Sequence, residues 1–191
     1  MLTGEHAATM QHLQLGEGVL LADIDLDAVL AAASPRAAIA ALIEAGHTLG
    51  ATPEGSVFRC VPEVTDAEKG AHRTPVKGAS LLSGYRVTLT GVLLEVTGAN
   101  ASRLLGGGDC ASGMLTAPAA SAAGMDSLCW VGCTAAGLLA IELYHPLSTG
   151  GLSLHTRRQG EGTMPFAFLA QNEDPEDTSL PFRMVWLGGA A

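Results

Sequence analysis

Residues 81–97 (LLSGYRVTLTGVLLEVT) constrain the fold more than any other stretch of the chain. Tyr85, Val87 and Leu89 share one parity, and Arg86, Thr88 and Thr90 share the other. A side-chain period of two belongs to a strand with one buried face. Past Gly91 the apolar positions change parity, to Val92, Leu94 and Val96, and Glu95 falls on the formerly apolar side. A one-residue phase change at a glycine predicts a β-bulge, or a strand that crosses between two environments. Such a strand argues for a sheet protein, and 24 glycines and 9 prolines in 191 residues count against a helical bundle.

The alternation recurs in short runs. At 19–28, Leu20, Ala22, Ile24 and Leu26 alternate with Asp23, Asp25 and Asp27, predicting a half-buried strand with a carboxylate face. Residues 56–64 are rich in β-formers, with Pro62 marking an edge or an end. Strands follow at 128–133 and 138–144, and 151–158 sets Leu152 and Leu154 against His155 and Arg157. Residues 164–170 align Met164, Phe166, Phe168 and Ala170, and 180–187 supply the last strand. Ser34, Pro35 and Gly46 bracket a helix with Ile39, Leu42 and Ile43 on its apolar stripe, and a second helix spans 100–105 before Gly106. Residues 65–77 form an exposed charged loop, 111–124 an Ala/Ser/Gly-rich surface loop, and 173–177 an acidic turn. The fold class is mainly β (α+β): a sandwich or barrel of seven or eight short strands with one or two short helices, in a single domain over 1–191.

Hydrophobic residues make up 48% of the chain, enough to fill a core, and charged residues only 15%, too few for a disordered tail. A formal charge of −9 argues against a module that grips nucleic-acid phosphates. The N-terminus lacks a basic region before an apolar core, so no secretory signal is expected, and the apolar run 127–141 is too short to span a membrane. In a strand, Cys129 and Cys133 lie roughly 13 Å apart, too far to share one zinc ion, and they read as buried inert thiols. The aspartates at 23, 25 and 27 open like a calcium loop, but Ala28 and Ser34 stand where its glycine and glutamate belong. No nucleophile elbow, HExxH pair or phosphate loop is present, and the six histidines are scattered. The reading is a non-enzyme without cofactor or metal.

Four short stretches resemble the bacteriophage major tail protein, the tail-tube subunit of long-tailed phages. They are 49–56 (LGATPEGS); 74–78 (TPVKG), leading into the long strand; 89–97 (LTGVLLEVT) followed by a short helix; and 164–170 (MPFAFLA) with 180–183 (LPFR). The resemblance implies a β-sandwich that assembles into hexameric rings with a shared inner β-barrel, the rings stacking into a tube through which DNA passes without specific binding. Tyr85, Arg86, Thr88, Thr90 and Glu95 would then lie on the strand shared between subunit core and barrel. Asp66, Glu68, Lys69, Arg73 and Lys77 would contact the next subunit or ring. Asp23, Asp25, Asp27, Glu173, Asp174, Glu176 and Asp177 are candidates for a lumen that repels phosphate. The implied partners are copies of the chain itself, a tape measure, a terminator and a baseplate or tip, with the virion tail as location and no membrane contact. The alternatives are another ring-forming tail component (terminator, tube initiator or injection-system inner tube) and a soluble β-sandwich binding module.

Overall fold

The structure, a computed structural model, describes residues 14–52, 55–66, 80–111, 113–116, 125–134, 137–156, 158, 160–174 and 178–187. In chain order the elements are β1 (Gln14–Ala22), α1 (Leu26–Ala31), α2 (Pro35–Glu44), β2 (Thr48–Ala51), β3 (Ser56–Asp66), β4 (Ser80–Leu93), α3 (Gly98–Leu104), β5 (Asp109–Ala111), β6 (Met114–Thr116), β7 (Ser127–Thr134), β8 (Gly137–Tyr144), β9 (Leu147–Ser148), β10 (Met164–Leu169) and β11 (Phe182–Leu187). The protein is mainly β. A five-stranded antiparallel sheet has the order β11-β8-β7-β1-β2, a four-stranded antiparallel sheet has the order β3-β4-β10-β9, and β5 with β6 makes a separate ribbon.

Side chains from the two sheets meet in one core. Leu20, Leu128, Trp130, Ile141 and Leu143 of the five-stranded sheet pack with Val87, Leu89, Leu93, Met164, Phe166 and Phe168 of the four-stranded one. Each such aliphatic or aromatic side chain contributes roughly 1.5–3 kcal/mol on full burial. Phe58 of β3 and Phe182 of β11, with ring centroids 4.9 Å apart, join the two sheets where their edge strands meet. A second core lies on the other side of the five-stranded sheet, where Leu21, Cys129, Val131, Ala140 and Leu187 are covered by Leu26 and Val29 of α1 and Ile39 of α2. The architecture is therefore three layers: helices, sheet, sheet. Burial on both faces explains why β7 and β8 read as nearly continuous apolar runs.

Local signals place the helices. The Asp25 carboxylate accepts from the Asp27 and Ala28 N–H groups, Ser34 Oγ accepts from Ala37 N–H with Pro35 at the start of α2, and Thr97 Oγ1 accepts from Asn100 N–H. Buried Asn100 donates to the Leu49 and Glu95 carbonyls, fixing α3 against β2. No described helix is long and apolar enough to cross a membrane.

Several expectations are corrected. The acidic strand at 19–28 ends at Ala22: Asp23 has a positive φ of 53°, Asp25 caps α1 and Asp27 lies in its first turn. The phase change at Gly91 does not occur. Val87, Leu89 and Leu93 are all buried on one parity, and pairing with β3 and β10 runs through Gly91 without a shift. Gly91 instead makes room for Phe166, whose ring carbon would stand 2.7 Å from an added Cβ. The strand stops at Leu93, so Glu95 is exposed beyond it, its side chain over Gly50. Tyr85 shares the parity of the buried residues but is 45% exposed, because the sandwich has already ended there. Residues 151–154 form no strand, and only an isolated bridge joins His155 to Thr163. Thr65 and Asp66 belong to β3 and not to a loop, 111–124 contains β6, Cys133 is only half-buried, and the described residues hold three helices. Glu68, Lys69, Arg73, Lys77, Glu176, Asp177, Arg157 and residues 117–124 lie outside the described residues.

Candidate assembly surfaces

The four-stranded sheet ends unevenly. β10 pairs with β4 only between Thr88 and Leu93, whereas β3 stays paired with it out to Ser80. β3 and β4 therefore run on as a two-stranded ribbon, with one irregularity after Glu63 where Ser83 Oγ donates to the Glu63 carbonyl. Val61, Val64 and Leu82 on this ribbon are each more than half exposed. β3 also ends the strand order, and among the described residues no strand pairs with the far side of its eleven residues, whose edge Pro62 interrupts. An edge of this length with apolar side chains is a template for another strand.

The outer face of the same sheet carries Val57, Arg59, Val61, Arg86, Thr88 and Thr90, and none of them is buried. Tyr85, Arg86, Thr88 and Thr90, expected on a shared strand, do lie together on β4, but Glu95 does not join them. Asp66 closes β3 opposite Ser80.

The acids that the sequence separates by some 150 positions come to one end of the five-stranded sheet. Asp23 Oδ1 accepts from the Asp126 N–H at 2.9 Å, the Asp126 carbonyl accepts from the His145 N–H at 3.0 Å, and the His145 ring lies 3.9 Å from the Glu173 carboxylate. Asp23 and His145 are the two non-glycine residues with positive φ among the described residues, a conformation that Asp and His tolerate better than most. Glu173 and Asp174 are exposed. Nearby, Arg183 of β11 bridges Asp27 at 2.7 Å and Glu142 at 2.5 Å, joining α1 to β8.

Glu142 is 4% exposed, and burial pushes its carboxyl above the ordinary range although the Arg183 hydrogen bond opposes this. Burial would lower the Arg183 guanidinium, but its hydrogen bonds to Asp27 and Glu142 outweigh that and hold it above its usual value. The Glu142 direction governs the pH response, because an arginine stays charged throughout the accessible range. Burial also raises the Cys129 thiol to about 12, so it is neutral and inert. Among the described residues no group of three or more His, Cys, Asp and Glu side chains is placed to hold a metal ion.

The Asp27–Arg183–Glu142 bridge and the exposed valines of β3 were not anticipated. A glutamate between apolar residues in 138–144 was the available signal for the first. The valines gave none, since an apolar residue on a projecting ribbon has the same sequence pattern as one in the core. No family model matches the chain, and no curated protein is significantly similar to it.

Proposed function

We propose that the chain is a structural subunit of a phage tail, polymerising as stacked hexameric rings into the tube that conducts DNA, and not a catalyst. The observation that carries this reading is the unfinished four-stranded sheet: a long free edge on β3 next to an outer face with no buried residue. A monomer ordinarily blunts such an edge, whereas copies around a ring complete it for one another and close a shared barrel. Residues 67–79 connect β3 to β4 in the sequence, and on this reading they reach the adjacent ring.

The acidic end formed by Asp23, Asp25, Asp27, Asp126, Glu173 and Asp174 supplies the negative field that keeps DNA sliding instead of sticking. That role falls to this end because the open sheet face carries Arg59 and Arg86. Partners would be copies of the chain and the other components of a tail, with the virion as location. A terminator, tube initiator or injection-system inner tube would use the same edge. Negative-stain electron microscopy of the concentrated protein tests the reading. Rings or tubes with a DNA-wide bore are expected, and compact monomers or dimers with a ligand-dependent melting shift would instead establish a binding module.

A further inference from the structure

Among the described residues, the four-stranded sheet leaves part of the β4 edge without a strand, and a segment with the sequence pattern of a strand runs beside β10 without joining the sheet. The last bond between β10 and β4 runs from the Ala170 N–H to the Val87 carbonyl at 3.0 Å, after which Gln171 turns away to donate to Tyr144. β4 continues to Ser80, paired with β3 only. Successive residues of a strand direct their main-chain groups to opposite sides, so Tyr85, two residues from Val87, directs its N–H and C=O to the side that β10 has left. The vacated space is a cleft of about 460 Å3 between Leu82, Gly84 and Tyr85 on one wall and Gln171, Ser179 and Pro181 on the other, and among the described residues no charged side chain lines it.

Residues 151–154 (GLSL) are the complement. The chain is held before them by the Gly150 N–H on the Ala167 carbonyl and after them by the paired bonds of His155 with Thr163. Between these anchors it joins no strand, with Leu152 and Leu154 exposed and no charge present. Its sequence alternation is that of a strand. Gly151 has a φ of 62° and would have to extend on pairing; four extended residues span roughly 13 Å, which fits within the roughly 16 Å of the free stretch 82–86. The two features cannot meet within one copy. The segment starts beside Ala167, three residues short of Ala170 at the cleft, and its anchors carry it along β10 toward Thr163, away from the cleft.

We propose that residues 151–154 of one copy add as a strand to the free edge of β4 in the cleft of another copy. The occupant brings main-chain donors and acceptors to an edge that has no described strand beside it, and uncharged side chains to a cleft whose described lining is uncharged. Donor and acceptor are different surfaces, on opposite sides of β10. The contact is therefore head-to-tail, the type that closes rings or grows filaments. In its placement within a ring it rests on the tail-tube reading.

The test mixes two full-length variants, each with Cys110→Ser: one carries Gly84→Cys, where an added Cβ meets nothing within 4 Å, and the other carries Ser153→Cys, at an exposed position. On oxidation the mixture should give a covalent dimer at least tenfold above either variant alone and above a control mixture of Arg36→Cys with Ser153→Cys. A yield no higher than the control overturns the contact. Electron microscopy of the same samples before oxidation separates the two ideas: rings without this product leave the tube standing and overturn the contact, and the product without rings does the reverse. Leu152→Ser with Leu154→Ser should raise the concentration for half-assembly at least tenfold, and an unchanged concentration also overturns the contact.

Discussion

The outer faces of the two sheets differ in what lies over them. On the five-stranded sheet, α1 and α2 bury Leu21, Cys129, Val131 and Ala140, and the Asp27–Arg183–Glu142 bridge pins the start of α1 to β8 and β11. On the four-stranded sheet, Val57 and Val61 face outward half exposed beside Thr88 and Thr90. Both faces use the same pleated alternation. The difference is that among the described residues one face is covered by helices and the other is not; on the proposed reading the first serves stability and the second assembly.

Substitutions on the two faces should therefore separate stability from assembly. The largest effect is expected beneath the helices: Leu26→Ala, at a fully buried site, should cost about 3 kcal/mol and lower the midpoint of urea unfolding accordingly. A loss under 1 kcal/mol would mean that α1 is not part of the folded core. Arg183→Met leaves Glu142 buried without its partner and should cost about 2 kcal/mol, less than for a fully buried pair because Arg183 is 30% exposed.

A pH series sharpens the same point. Because the folded state holds the Glu142 proton more tightly than the unfolded chain does, the stability it contributes is fully present below the unfolded carboxylate value of about 4.3 and is lost as pH rises through the raised folded value. Wild type should thus lose stability relative to Glu142→Gln as pH is raised from about 4 to 8, followed by urea midpoints; parallel curves would contradict the burial of that carboxyl. The smallest effect belongs to the open face, where Val57→Ser with Val61→Ser should change stability by no more than about 0.5 kcal/mol while weakening self-association by light scattering.

What could be read beforehand divides along the same line. α2 was legible because Ser34, Pro35 and Gly46 are signals that act locally, and β10 because Met164, Phe166 and Phe168 face one core. β1 was misread where its pattern continued into Asp23, Asp25 and Asp27: a period of two cannot distinguish a strand from an extended exit that caps a helix. Gly91 misled because a residue without a side chain does not reveal which face it belongs to, and Val92 and Leu93 are both apolar. At 151–154 the strand pattern was legible but its partner was not, since pairing is decided by the rest of the fold. For the candidate surface, membership of β4 could be anticipated for Tyr85, Arg86, Thr88 and Thr90. The exposure of the ribbon could not, because it depends on where β10 stops.

Hydrogen exchange along β3 tests most directly whether this edge is left for other copies of the chain. In dilute protein, the amides of Ser56–Asp66 that point away from β4 should exchange rapidly, and at concentrations where assemblies form the same amides should slow at least a hundredfold while those of β7 stay unchanged. Equal exchange of those β3 amides at both concentrations would contradict the account.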